Sequence, residues 1–110
     1  MMAPPQRSKY FAKRTEVDGV LFASAREARE YGRLRLLERL GDIVHLECHP
    51  VYELHAPNGV VIGKYIADFR YQVGGQVQVI DVKGWRTLPL AKWKQKHLAA
   101  EYGIRVQEVR

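Results

Sequence analysis

Asp68, Asp81 and Lys83 are the residues whose types and spacing first suggest chemistry. They lie in the stretch from Lys64 to Lys83, KYIADFRYQVGGQVQVIDVK, where β-branched and aromatic residues run up to Gly74-Gly75 and resume after it. Such a glycine pair suits a two-residue hairpin turn. With that turn Val73 pairs with Gln76, and counting back sets Asp68 directly opposite Asp81. Carboxylates facing each other across a ladder have Cβ atoms about 5 Å apart and repel. Lys83, two residues beyond Asp81, projects from the same face. A divalent cation would offset the repulsion, and Mg²⁺ favours one or two carboxylates together with water and a substrate phosphate. The opposite face, with Tyr65, Ala67, Phe69 and Tyr71 from one strand and Ile80 and Val82 from the other, reads as core. A register shift of one residue would part the two aspartates.

The remaining elements must hold this hairpin in place. Residues 1–9 read as a mobile basic arm and residues 10–110 as a single domain. Phe11 to Phe22 fits a small hairpin around Asp18-Gly19, with Lys9, Lys13 and Arg14 near its base as candidate phosphate contacts. Ser24 opens a helix that runs to about Leu40 and stops at Gly41. Ser24-Ala25-Arg26-Glu27 fits a capping box, in which Glu27 reaches back to the Ser24 N–H. Glu27 also heads an apolar stripe continued by Tyr31 and Leu34. Arg26, Arg29 and Arg33 form a basic stripe. Leu36 and Leu40 point elsewhere, so this helix is buried on more than one side or meets a second copy.

Two extended runs follow, Ile43–Glu47 and Val51–Leu54, parted by Pro50, and Pro57-Asn58-Gly59 is a turn. After the central hairpin, Trp85-Arg86-Thr87 leads into a second helix with Pro89 in its first turn and Gly103 past its end. Leu90, Trp93, His97 and Leu98 recur there at helical spacing, while Lys92 and Lys96 share another face. Ile104–Val109 reads as a last strand, parallel to the second strand of the hairpin. The order predicts an α/β fold with one mixed sheet flanked by helices. His45, Cys48, His49 and His55 match no standard zinc spacing. Glu53 lies on an extended run that alternation alone does not place. Trp85 and Trp93 fit core or interface better than base stacking.

Length and composition narrow the classes of function. A chain of 110 residues builds one domain with a modest core. A hydrophobic fraction of 46% is ordinary, and no run is long or apolar enough to cross a membrane. The start, MMAPPQRSKY, lacks the apolar run of a secretory signal, and the lone Cys48 forms no internal disulfide. Both point to a reducing, cytoplasmic setting. A formal charge of +6 and a pI near 9.7 suit a polyanionic partner, nucleic acid first. No helix pairs a basic face with a clean apolar one, which disfavours an acidic membrane.

With the element order and the Asp68…Asp81-Val82-Lys83 spacing in hand, the chain resembles the PD-(D/E)XK nuclease superfamily. Within it, the chain is similar to a small phage- and prophage-borne family of unknown function. The stretches that carry the resemblance are KYFAKRTEVDGVLFASAREA, KYIADFRY, IDVKGWRT and EYGIRVQEV. It implies an α-β-β-β-α-β core like that of restriction endonucleases. Asp68 matches the motif's first acid, Asp81 its second, Lys83 its lysine and Glu27 the acid on the first helix. Ala67 departs from the pattern, standing where the motif has proline.

The resemblance further implies Mg²⁺, with Mn²⁺ able to substitute, bound by Asp68, Asp81, Glu27 and the Val82 carbonyl. Lys83 would orient the attacking water or stabilise charge. Arg86, Thr87, Lys92 and Lys96, next to the motif strand, join the candidate DNA contacts. The expected activity is endonucleolytic cleavage of branched or duplex DNA, resolvase-like, by a homodimer in a bacterial host cell, leaving 5′-phosphate and 3′-hydroxyl ends. The alternative is a non-catalytic nucleic-acid-binding module using the same basic surface.

Overall fold

A computed structural model describes residues 14–110 of the chain. The arm at residues 1–9, Lys9, Lys13 and the first residues of the predicted Phe11–Phe22 hairpin lie outside them. The rest of that hairpin is β1 (Thr15–Val17) and β2 (Val20–Phe22). Asp18 and Gly19 join them, both at positive φ (52° and 78°), as a tight turn matching the strands' twist requires. Helix α1 (Ala25–Arg39) follows, with Ser24 as its N-cap and the Ser24 hydroxyl accepting the Glu27 N–H at 3.0 Å. Its buried residues Glu27, Ala28, Tyr31 and Leu34 make one face of a helix. Leu36 and Leu40 are exposed, so within one chain α1 packs through a single side.

Next come β3 (Val44–Cys48), β4 (Val51–His55), β5 (Val61–Ile66) and β6 (Phe69–Val73). β3 pairs with β6 and β4 with β5, both antiparallel, in a register that continues from Glu47–Arg70 to Leu54–Gly63 and shifts by one residue at either end. The pieces are one long ribbon, closed at its far end by the Pro57-Asn58-Gly59 turn, where Asn58 Oδ1 accepts the Val60 N–H at 3.1 Å. It is broken in the middle because Pro50 has no N–H to give the ladder. His49, at φ 54°, turns the chain there. Two bonds bridge the break, His49 N–H to the Asp68 carbonyl (2.9 Å) and Ala67 N–H to the Pro50 carbonyl (3.1 Å).

β7 (Gln76–Val82) pairs with β6 in the register expected from Gly74-Gly75, Val73 opposite Gln76 through Phe69 opposite Ile80. Helix α2 (Pro89–Tyr102) ends at Gly103, in the left-handed region at φ 69°. It leads to β8 (Val106–Val109), which runs parallel to β7 with Asp81 beside Glu108. The main sheet is mixed, in the order β3-β6-β7-β8. The described residues thus form an α/β fold with a mixed sheet and two helices. Among the described residues no helix is long and apolar enough to cross a membrane.

The core has two parts. Phe22, Ala28, Tyr31, Leu34, Phe69 and Ile80 form one, on the side of α1. Tyr52, Leu54, Tyr65, Ala67, Val79 and Leu98 form the other, on the side of α2. Val79 and Ile80 are neighbours in β7 and point to opposite faces, so the helices cover opposite faces of the sheet.

This corrects one expectation. Strict alternation places Tyr65, Ala67, Phe69 and Tyr71 together, but Tyr65 and Ala67 join the α2 side while Phe69 joins the α1 side. The bend at Ala67-Asp68 exchanges the faces. On α2, helical spacing does not amount to burial. Of Leu90, Trp93, His97 and Leu98, only Leu98 is buried (0% exposed), whereas Leu90 (68%) and Trp93 (71%) stand in solvent. Trp85, at 66% exposed, is not core either.

Candidate functional site

The site sits where the central ribbon bends beside the end of β7. Asp68 is the residue of the bend, just before β6. Its Oδ2 accepts the Val82 N–H at 2.7 Å, and its own N–H donates to Asp81 Oδ1 at 3.0 Å. Each aspartate therefore ties its carboxylate to the other strand's backbone, beside the bond that the Asp68 N–H also makes to the Ile80 carbonyl at 3.1 Å. Asp81 is buried, and its Oδ2 accepts the Tyr65 hydroxyl and lies 3.5 Å from Lys83 Nζ. Gln95 on α2 holds that phenol in turn, its Nε2 donating to the Tyr65 oxygen at 3.1 Å. Burial and the Asp81 contact raise the Tyr65 pKa far above the ordinary phenol value.

Glu27 reaches the site from the first turn of α1. It is 5% exposed, and its Oε1 lies 2.8 Å from His49 Nε2. The capping box is consequently only half formed. Ser24 caps the helix, while the Glu27 carboxylate goes to His49 instead of back to Ser24. Glu27, His49 and Asp68 each offer a ligand atom, and these atoms lie within 4.8 Å of one another. Burial, followed by the like charges of Glu27 and Asp81, pushes the Asp68 carboxyl up to about 7, against the Val82 N–H and Lys83, which act to lower it. A carboxyl so placed carries a proton near neutrality or holds a cation in its stead.

The sequence reading missed His49 as a member of this group. Its signal was the position before Pro50, but only the β3–β6 register, which periodicity does not reveal, sets it across from Asp68. The zinc set does not assemble. His45 is exposed, His55 pairs with Glu101 at 2.5 Å, and Cys48 is a free, half-buried thiol whose pKa burial raises. Glu53 lies 3.9 Å from His55, on the far arm of the ribbon.

Of the candidate nucleic-acid contacts, Arg14, Arg86, Lys92 and Lys96 are exposed. Thr87 does not belong with them, because it is buried and donates its hydroxyl to Glu108. Val82 enters the site by its N–H. Arg26 adds a cation that the motif reading did not single out. Its guanidinium passes over Gly84, where a Cβ would stand 3.8 Å from Arg26 Nε.

No curated protein and no solved structure matches the chain. A family model does match, over residues 7–109, which is nearly the whole length, and the chain belongs to that family, described as a protein of unknown function (DUF1064).

Proposed function

We propose that the protein is a metal-dependent DNA endonuclease of the PD-(D/E)XK kind, acting on branched or duplex DNA in phage or prophage DNA processing within a bacterial host. The observation that carries the reading is the gathering of Glu27, His49 and Asp68 within 4.8 Å, beside the Asp81–Lys83 pair. This donor set fits a divalent cation. Two carboxylates and an imidazole converge, and one carboxyl is held protonated near neutrality by burial and like charge. Mg²⁺ suits the oxygens, and the imidazole nitrogen favours Mn²⁺. Asp81 and the Val82 carbonyl are the remaining donors of the proposed shell.

A cation bound there would neutralise charge developing on a scissile phosphate and make a water more acidic. Glu27 orients the His49 ring, and the Val82 N–H orients the Asp68 carboxylate. Lys83, beside Asp81, orients the attacking water or donates to a phosphoryl oxygen.

The test is incubation with branched, duplex and single-stranded DNA in Mg²⁺, Mn²⁺ or EDTA. Cleavage with either metal is expected and none in EDTA, with losses of about 100-fold or more in Asp81→Ala and Lys83→Ala. Binding without cleavage under every condition would sink the enzyme and leave a nucleic-acid-binding module. One site cuts one strand at a time, so paired cuts imply a homodimer, for which the exposed Leu36 and Leu40 of α1 offer a contact. Sedimentation as a monomer, with undiminished paired cleavage, would count against that dimer.

A further inference from the structure

Between Asp81 and Glu101 the chain holds five lysines and arginines (Lys83, Arg86, Lys92, Lys94, Lys96) and no carboxylate. Both of its tryptophans, Trp85 and Trp93, fall in the same stretch. They are exposed, as are Leu88 and Leu90. Side chains of this size are normally covered, and leaving several together in solvent marks a surface that meets something else. The first two turns of α2 present Leu90 and Trp93 three residues apart and Lys92 and Lys96 four apart, so rings and ammonium groups stand side by side on the helix. Before the helix, Trp85 is followed directly by Arg86, and Arg110 Nη1 holds the Trp85 carbonyl at 2.6 Å.

A groove of about 370 Å³ runs beside this surface, lined by Tyr65, Ile66, Leu88, Leu90 and Lys94 among others. Tyr65 is the link to the site, because the same residue gives its hydroxyl to Asp81.

The occupant must offer flat apolar faces and negative charge in alternation. A single nucleic-acid strand does, since unpaired bases stack on aromatic rings while phosphates meet the cations between them. A duplex does not, because its bases are stacked and paired inside. A lipid surface would want the apolar side chains on one unbroken face, and here lysines stand on both sides of Trp93. We propose that this surface binds a single-stranded segment of DNA, its bases stacked on Trp85 and Trp93 and its phosphates on Arg86, Lys92 and Lys96. Its path leads along the groove toward Asp81. This deepens the nuclease reading and takes from it the choice of DNA; it names the substrates as those with unpaired strands next to the cut.

The test uses the full chain in EDTA, so that binding is read apart from cleavage. With both tryptophans on the surface in question, intrinsic emission reports it directly. A thymidine 15-mer is expected to quench that emission saturably. Labelled oligomer anisotropy should then show Trp85→Ala and Trp93→Ala each weakening single-strand binding by roughly 5- to 100-fold. Trp93→Phe should keep most of the affinity, as a stacking ring would, and a 15-base-pair duplex should lose less than about twofold.

Equal losses on duplex and single strand would overturn the proposal, as would unchanged emission. So would an emission shift with phosphatidylserine vesicles and none with the oligomer, or a preference for the uridine 15-mer. The nuclease reading fails separately. Tryptophan-dependent single-strand binding with no cleavage in Mg²⁺ or Mn²⁺ would remove the enzyme and keep this surface. Undiminished cleavage of single-strand-bearing substrates by both tryptophan variants would do the reverse.

Discussion

Asp68 keeps its proton to about pH 7 in the folded chain, where an ordinary aspartate loses it at 3.8, chiefly because it is buried and faces Glu27 and Asp81. The unfolded chain gives up that proton near pH 4, so between the two values the folded state binds the extra proton. The group's contribution to stability is therefore complete below about pH 4 and is lost as pH rises through 7. Asp68→Asn removes the titration while keeping an acceptor for the Val82 N–H. In EDTA its stability relative to the parent should climb from pH 4 to pH 8, by on the order of a few kcal/mol. Urea unfolding at both pH values checks this, and a flat difference would mean that Asp68 ionises freely. Metal binding carries the opposite sign. The proton must leave before the carboxylate can ligate, so thermal stabilisation by Mn²⁺ should grow from pH 6 to pH 8. His49→Ala should cut the Mn²⁺ response more than the Mg²⁺ response, because only the former gains much from imidazole. Equal losses for both ions would remove His49 from the shell.

At the scale of elements, α2 separates what apolar spacing says from what packing does. Leu98 is fully covered by the Tyr52–Tyr65–Val79 cluster, and Leu90 lies in solvent. Leu98→Ala should cost about 2–5 kcal/mol, and Leu90→Ala should stay within about 0.5 kcal/mol, both by urea unfolding. Comparable losses would place the packed face of α2 on the wrong side. The ends of the elements were legible in the sequence because single residues set them: Ser24, Gly41, Pro89 and Gly103 for the helices, Asp18-Gly19 and Gly74-Gly75 for the hairpins. The hairpin register was legible too, from Val73–Gln76 to Phe69–Ile80, while Asp68, just beyond that ladder, meets Asp81 through its own N–H and not as a ladder pair. What was hidden lies where local order breaks. Pro50 and the left-handed His49 bend the ribbon, the faces exchange at Ala67-Asp68, and His49 arrives at the site from a strand paired across the sheet. Periodicity carries no information about such long-range pairing. Nor does it say whether a row of apolar residues packs inward, which is why helical spacing alone left Trp93 between core and interface.

Over the whole molecule the formal charge is +6, but the cations are not equally available to a partner. On α1, Glu30 answers Arg33 at 2.6 Å and Glu38 answers Arg35 at 2.6 Å. Around the start of α2 no acid intervenes along the chain before Glu101, and Glu108 of β8 is taken up by Thr87, Gln95 and Arg110. Since α1 and α2 cover opposite faces of the sheet, a DNA strand stacked on Trp85 and Trp93 should lie on the α2 side. Salt dependence tells the faces apart, because each phosphate neutralised by a lysine or arginine releases counterions and steepens the fall of affinity with salt, by about 0.7 per contact for single strands. In EDTA, Lys92→Ala with Lys96→Ala should reduce the magnitude of the slope of log K against log salt by about 1.4 for the thymidine oligomer. Arg33→Ala, whose charge already has a partner, should leave the slope unchanged. If the slope instead follows Arg33 and ignores the two lysines, the strand crosses the α1 face. It would then reach Asp68 and Asp81 past Glu27 and Arg26, not along the Tyr65 groove.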